Sequence, residues 1–171
     1  MKFSNLLVIA LLVLPILAVG QAKKSPYIGY EYKGVVPSAT LPNGVKHFGG
    51  GLIGKIDADP VHGISQVEKG RTKMLWLEVS TGQDAGGVSG WRVKDVLVFP
   101  ALTRSDYIFF AGDPAILCRQ RGTEIVNLVG VGRIARRDAI FRPSKLWVAN
   151  LGTDKFEPMS LAGVKCEYSE P

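Results

Sequence analysis

From Gly44 onward the chain is written in short apolar runs separated by Gly, Pro, Asn and Asp, and no window beyond residue 20 keeps apolar residues at i, i+3, i+4 and i+7 for three turns. That punctuation excludes a helical bundle and predicts an all-β, mainly antiparallel domain, a small sandwich or barrel with at most one or two short helices. The predicted strands are Gly51–Ile56, Lys73–Val79, Gly90–Phe99, Tyr107–Ala111, Ala115–Arg119, Glu124–Ile134, Lys145–Ala149 and Val164–Glu167. In the second of these Leu75, Leu77 and Val79 form one face and Met74, Trp76 and Glu78 the other. Both faces carry large apolar residues, the mark of a strand entering a core.

Turn chemistry supports antiparallel pairing. Gln120-Arg121-Gly122-Thr123 separates Ile116-Leu117-Cys118 from Ile125-Val126, and Gly122 can take the positive φ of a tight hairpin. Gly152-Thr153-Asp154-Lys155 does the same between Leu146-Trp147-Val148 and Phe156. Helix is expected, if anywhere, at Ile134–Phe141, ended by Pro143, with fainter patterns at Ser65–Lys69 and Ser105–Phe109.

Residues 1–20 read as a cleaved secretory signal. Lys2 supplies the positive start, Leu6 to Leu17 the apolar stretch, and Ala18-Val19-Gly20 the small residues a signal peptidase accepts. At about 15 residues even when Val19 is included, and interrupted by Pro15, the apolar run is short of the ~20 a membrane span requires. Cleavage leaves 151 of the 171 residues and, because Lys2 is the only charge removed, takes the formal net charge from +6 to +5. Residues 21–43, with Pro26, Pro37 and Pro42 among Tyr27, Tyr30 and Tyr32, are expected to form an extended arm whose tyrosines lie on the domain. The tail before Ser25 is expected to be disordered. Residues 44–171 are one β-rich domain, large enough to bury a core without a metal.

Export gives the two cysteines their reading. In an oxidising compartment Cys118 and Cys166 are expected to pair, with Cys166 on a final strand laid beside the strand of Cys118. Localisation is accordingly secreted or periplasmic, with no membrane span after cleavage. Nucleic acid is not expected as a partner, and neither cofactor nor metal is expected.

The most localised charge is Arg133, Arg136, Arg137 and Arg142, interleaved with Ile134, Ile140 and Phe141 and interrupted by Asp138. Guanidinium groups gathered on one edge dock carboxylates or phosphates bidentately. The leading expectation is therefore a non-enzymatic binding or accessory module of the cell envelope or secreted space with an acidic partner. One alternative is a hydrolase assembled around His47, His62, Asp57 and Asp59, although Asp57-Ala58-Asp59-Pro60 reads first as turn chemistry. A triad of Ser89, His62 and an aspartate is its variant, but Gly87-Val88-Ser89-Gly90 is one residue short of a nucleophile elbow. Another alternative is a self-assembling envelope subunit, recognisable by an unpaired hydrophobic edge strand. Gly49-Gly50-Gly51 reads as a bend or bulge, Gly82–Gly90 as a mobile surface loop, and Trp76, Trp91 and Trp147 as core residues. No stretch carries a family motif.

Overall fold

A computed structural model describes residues 25–34, 41–55, 57–99, 102–110, 113–135, 137 and 139–169. The expected signal at 1–20 and the tail before Ser25 lie outside the described residues.

Among the described residues, twelve strands form two sheets, with every pairing antiparallel. The sheets are not closed into a barrel, no α-helix occurs among the described residues, and the layout is that of a small all-β sandwich. The first sheet holds β1 (Glu31–Lys33), β2 (Val45–Ile53), β3 (His62–Lys69), β4 (Thr72–Gln83) and β5 (Ser89–Val98), in the order β1-β5-β4-β3-β2. The second holds β6 (Tyr107–Phe109), β7 (Ile116–Gln120), β8 (Thr123–Glu124), β9 (Leu128–Ala135), β10 (Ile140–Asn150), β11 (Lys155–Met159) and β12 (Val164–Tyr168). Its order is β6-β9-β10-β12-β7-β8, and β11 joins β10 beside β12.

Alternation along β4 explains how the layers meet. Leu75 and Leu77 enter a core shared by both sheets, with Ile53, Ile64, Phe99, Ile108, Val129, Val131 and Ala149. Met74 and Trp76 face the opposite side, where Tyr32, Val45, Val67 and Val93 form a second cluster. A strand buried on both faces reads as a continuous apolar run, as Met74 to Leu77 does. Tyr27, Tyr30 and Tyr32 each bring a ring within 6.5 Å of the Trp76 ring, so the tyrosine-bearing segment roofs this second cluster. Its residues Glu31–Lys33 also add an edge strand to β5. A third cluster, Phe109, Cys118, Leu128, Phe141, Leu146 and Cys166, belongs to the second sheet.

The disulfide forms where expected. Cys118 of β7 is the cross-strand partner of Cys166 of β12, with Cα atoms 4.0 Å apart. Both expected hairpins are present. Arg121 (φ 52) and Gly122 (φ 84) are both left-handed between the paired Gln120 and Thr123, the pattern of a two-residue turn matched to strand twist. The β10–β11 turn is held by Asn150 Oδ1, which accepts from the amides of Gly152 and Thr153.

Several boundaries differ from expectation. Ile134–Phe141 is a hairpin connection: Ile134 pairs with Phe141 and Ala135 with Ile140, and Ala139 turns the chain at φ 50. Pro143 ends no helix but sits in β10 beside a bulge, one of the places a sheet tolerates proline. Ser65–Lys69 lies in β3, and Ser105 is in the turn leading to β6. The run from Glu124 is broken by Asn127 at φ 54, so β9 begins at Leu128. The first long strand starts earlier, at Val45, and β11 has no counterpart among the expected strands because Lys155–Met159 contains Pro158 and lacks a clear apolar face. Pairing of β4 with β5 runs out to Gln83 and Ser89, which shortens the expected Gly82–Gly90 loop.

Candidate functional site

The outer face of the first sheet carries a groove of about 690 Å³. Its floor is built from alternate positions of neighbouring strands. Ser65 and Gly63 come from β3, Glu78 from β4, and Gly50 and Leu52 lie beside them on β2. Tyr32 and Trp91 close one side, while His47 and Phe48 stand on the other strand edge. Phe48 is the extra residue of a bulge between His47 and Gly49, and bulges re-aim side chains in this way.

Two glycines give the groove its depth. A Cβ at Gly63 would lie 3.2 Å from Cζ3 of Trp91, so the bare backbone is what lets the indole lie across β3. A Cβ at Gly50 would lie 2.6 Å from the carbonyl oxygen of Ile64, an approach real Cβ atoms do not make.

Glu78 is the unusual residue of the floor. It is only 2% exposed, and a shift of register against β5 falls immediately before it, between Leu77 and Glu78. The Tyr32 hydroxyl donates to Oε1 at 2.8 Å and the Ser65 hydroxyl donates to Oε2 at 2.9 Å. These bonds favour the carboxylate, yet burial outweighs them and pushes the group from 4.5 up to about 7. Burial, with Glu78 beside it, also holds the Tyr32 hydroxyl well above its ordinary range. His47 is held below 6.5 by burial, so the groove's imidazole is neutral at neutral pH. Glu78 takes part in no ion pair among the described residues.

His62 belongs to a different arrangement. It is buried at the start of β3, and its Nε2 lies 2.9 Å from Oδ1 of Asp154 in the β10–β11 turn. Lys94 of β5 reaches Oδ2 of the same carboxylate at 2.9 Å. Burial alone would raise Asp154, but the hydrogen bonds from Lys94 and His62 prevail and hold it below 3.8. The cluster ties one sheet to the other. Asp57 and Asp59 are exposed in the turn before β3, and no group of three or more His, Cys, Asp or Glu among the described residues is placed to hold a metal. His47 and Ser89 thus line the groove, and His62, Asp57 and Asp59 do not.

The arginines sit at the end of the β9–β10 hairpin. Arg133 and Arg142 are direct cross-strand partners and both are exposed. Asp106 approaches Arg133 at 3.5 Å, and Arg137 is exposed in the connecting turn. Arg136 lies outside the described residues. Of the tryptophans, Trp76 is fully buried, while its Nε1 is left without a hydrogen-bond partner among the described residues. Trp147 packs edge-on to Phe99 at 5.8 Å, whereas Trp91 is the one that also lines the groove.

Glu78, Tyr32 and Ser65 were not singled out by sequence. The available signal was a carboxyl on a face shared with Met74 and Trp76, where an acid has no reason to be unless it is partnered. Comparison with protein-family models, curated proteins and solved structures finds no match, so the reading of these sites rests on their geometry.

Proposed function

We propose that the chain is an exported, non-enzymatic binding module of the cell envelope or secreted space that engages an acidic partner through Arg133, Arg137 and Arg142, with Arg136 beside them in sequence. The observation that carries this is the register of β9 and β10, which sets Arg133 directly opposite Arg142. Two exposed guanidinium groups are thereby presented side by side at one hairpin end, with Arg137 in the connecting turn, and planar guanidinium forks of this kind dock a partner's carboxylates or phosphates bidentately. Export is supported by the order of charge, apolar run and small residues at 1–20 and by the disulfide, which persists in oxidising compartments. No helix among the described residues is long and apolar enough to cross a membrane.

The test is retention on immobilised polyglutamate at low and raised ionic strength. The unmodified protein is expected to bind and to elute as salt screens the contact, and the double variant Arg133→Glu/Arg142→Glu to run through. Equal retention of both would overturn the reading. A second reading, a self-assembling subunit, is favoured by β2, an edge strand with Phe48 58% and Leu52 48% exposed. Sedimentation that changes with concentration, and ceases to do so in Phe48→Lys, would support it.

A further inference from the structure

We propose that the groove on the outer face of the first sheet binds a small organic cation, an ammonium or guanidinium group on an apolar body, with Glu78 as counter-ion and Trp91, Tyr32 and Phe48 as aromatic walls. The inference goes beyond the arginine-mediated contact, since it concerns the other sheet and a ligand of opposite charge.

Three observations converge on that chemistry. First, among the described residues the lining holds one acidic side chain and no lysine or arginine, so an anion would meet a carboxyl with no cationic side chain of the lining to balance it. Second, the two hydroxyls that reach Glu78 are neutral, and each carboxylate oxygen accepts only one of them. An ionised carboxylate offers about four acceptor sites, so room remains for N–H donors. Third, Trp91, Tyr32 and Phe48 line the same groove as the carboxyl, and aromatic rings attract a cation through their quadrupoles, most strongly when water is excluded. A neutral ligand would use the aromatic walls but leave unexplained why a carboxyl, whose ionised form is disfavoured by burial, occupies the floor.

Binding of a cation as a salt of Glu78 releases the carboxyl proton to solvent whenever Glu78 is protonated beforehand. The groups facing it are Tyr32 from β1, Ser65 from β3 and the His47 that lines the groove from β2, while β5 contributes Trp91 and Ser89 without charge. Protonation of His47 on acidification adds repulsion and acts in the same direction. With Glu78 half-protonated near neutrality, affinity for the cation drops about tenfold between about pH 8 and about pH 6.

Benzylamine and benzyl alcohol, which share a shape and differ in charge, separate the possibilities in titration calorimetry on the oxidised protein. Benzylamine is expected to bind at least about tenfold more tightly than the alcohol at about pH 8 and to lose about tenfold by about pH 6. Proton release should be visible as heats that differ between two buffers at neutral pH. Glu78→Gln is expected to abolish the preference for the amine. The pH dependence and the proton release are read on the unmodified protein, so they stand even where the variant is poorly folded. Equal binding of the two probes, binding of neither at millimolar concentration, tighter binding of the alcohol, or a preference for the amine that is independent of pH would each overturn the proposal.

Discussion

Replacing Glu78 by glutamine separates the electrostatic penalty of the buried carboxyl from its hydrogen bonds. The amide is nearly isosteric, its oxygen can accept from one hydroxyl, and its nitrogen can donate to the other. The folded group titrates near 7 against an ordinary 4.5, a difference corresponding to about 3 kcal/mol. The sign follows from proton counts: between these values the folded chain holds more protons than the unfolded one, so stability falls as pH rises. The native protein is therefore least handicapped below about pH 4.5, loses stability through about pH 7, and is level above it. Glutamine has no such dependence. The stability of Glu78→Gln relative to the unmodified protein should thus improve by about 3 kcal/mol between about pH 4.5 and about pH 8. In melting temperature this is about 6–12 °C for a chain of this size. Urea unfolding across that range, with the disulfide intact, measures it. A difference that stays constant within about 1 kcal/mol across the range would refute the assignment of Glu78 as a carboxyl strained by burial.

Other perturbations test other parts of the framework. Replacing both Cys118 and Cys166 by serine opens a loop with a sequence separation of 48 and should cost about 4 kcal/mol in the chain-entropy picture, measured as a shift in urea midpoint. Asp154→Asn keeps an acceptor and tolerates the left-handed backbone at φ 53, but weakens the bonds from His62 and Lys94. Because the Asp154 carboxyl is held below 3.8, its contribution is present above that pH and is lost as pH falls through its folded value. The variant should therefore be about 1–2 kcal/mol less stable near neutral pH and converge with the native protein in acid, as read by thermal melts. Gly130→Ala would place a methyl 2.6 Å from both Leu146 Cδ2 and Phe109 Cε1, and overpacking there should cost about 1–3 kcal/mol in urea unfolding.

The readable parts of this fold were those decided locally. Met74 to Val79 is apolar enough on both faces to announce a buried strand, Trp91 to Phe99 alternates enough to announce a strand beside it, and Gly122 marks its own hairpin. Oxidation followed from an even pair of cysteines behind an expected export signal, and register then made Cys118 and Cys166 partners. The arginine hairpin was legible as charge but not as geometry. Pro143 suggested the end of a helix, whereas Phe141 inside and Arg142 outside follow the two-residue period of a strand. The groove was least legible, because Tyr32, Ser65, Glu78 and Trp91 come from four strands and meet only when all four registers are set. A slip of one residue in β3 would turn Ser65 and Gly63 away from Glu78.

The placement of β12 has a consequence for how the chain reaches its final state. Among the described residues, β7 pairs only with β8 and β12, and β12 is what joins that hairpin to β10. A strand late in the described residues is thus interior to the sheet, between β10 and β7. The β9-β10-β11 portion can assemble from consecutive segments, but the β7–β8 hairpin must wait with an open edge until residues 164–168 arrive. Non-local pairing of this kind is slow and leaves strands exposed to wrong partners. Closure of this sheet once residues 164–168 are available, with Cys118 kept reduced until Cys166 reaches it, is the route that this topology favours.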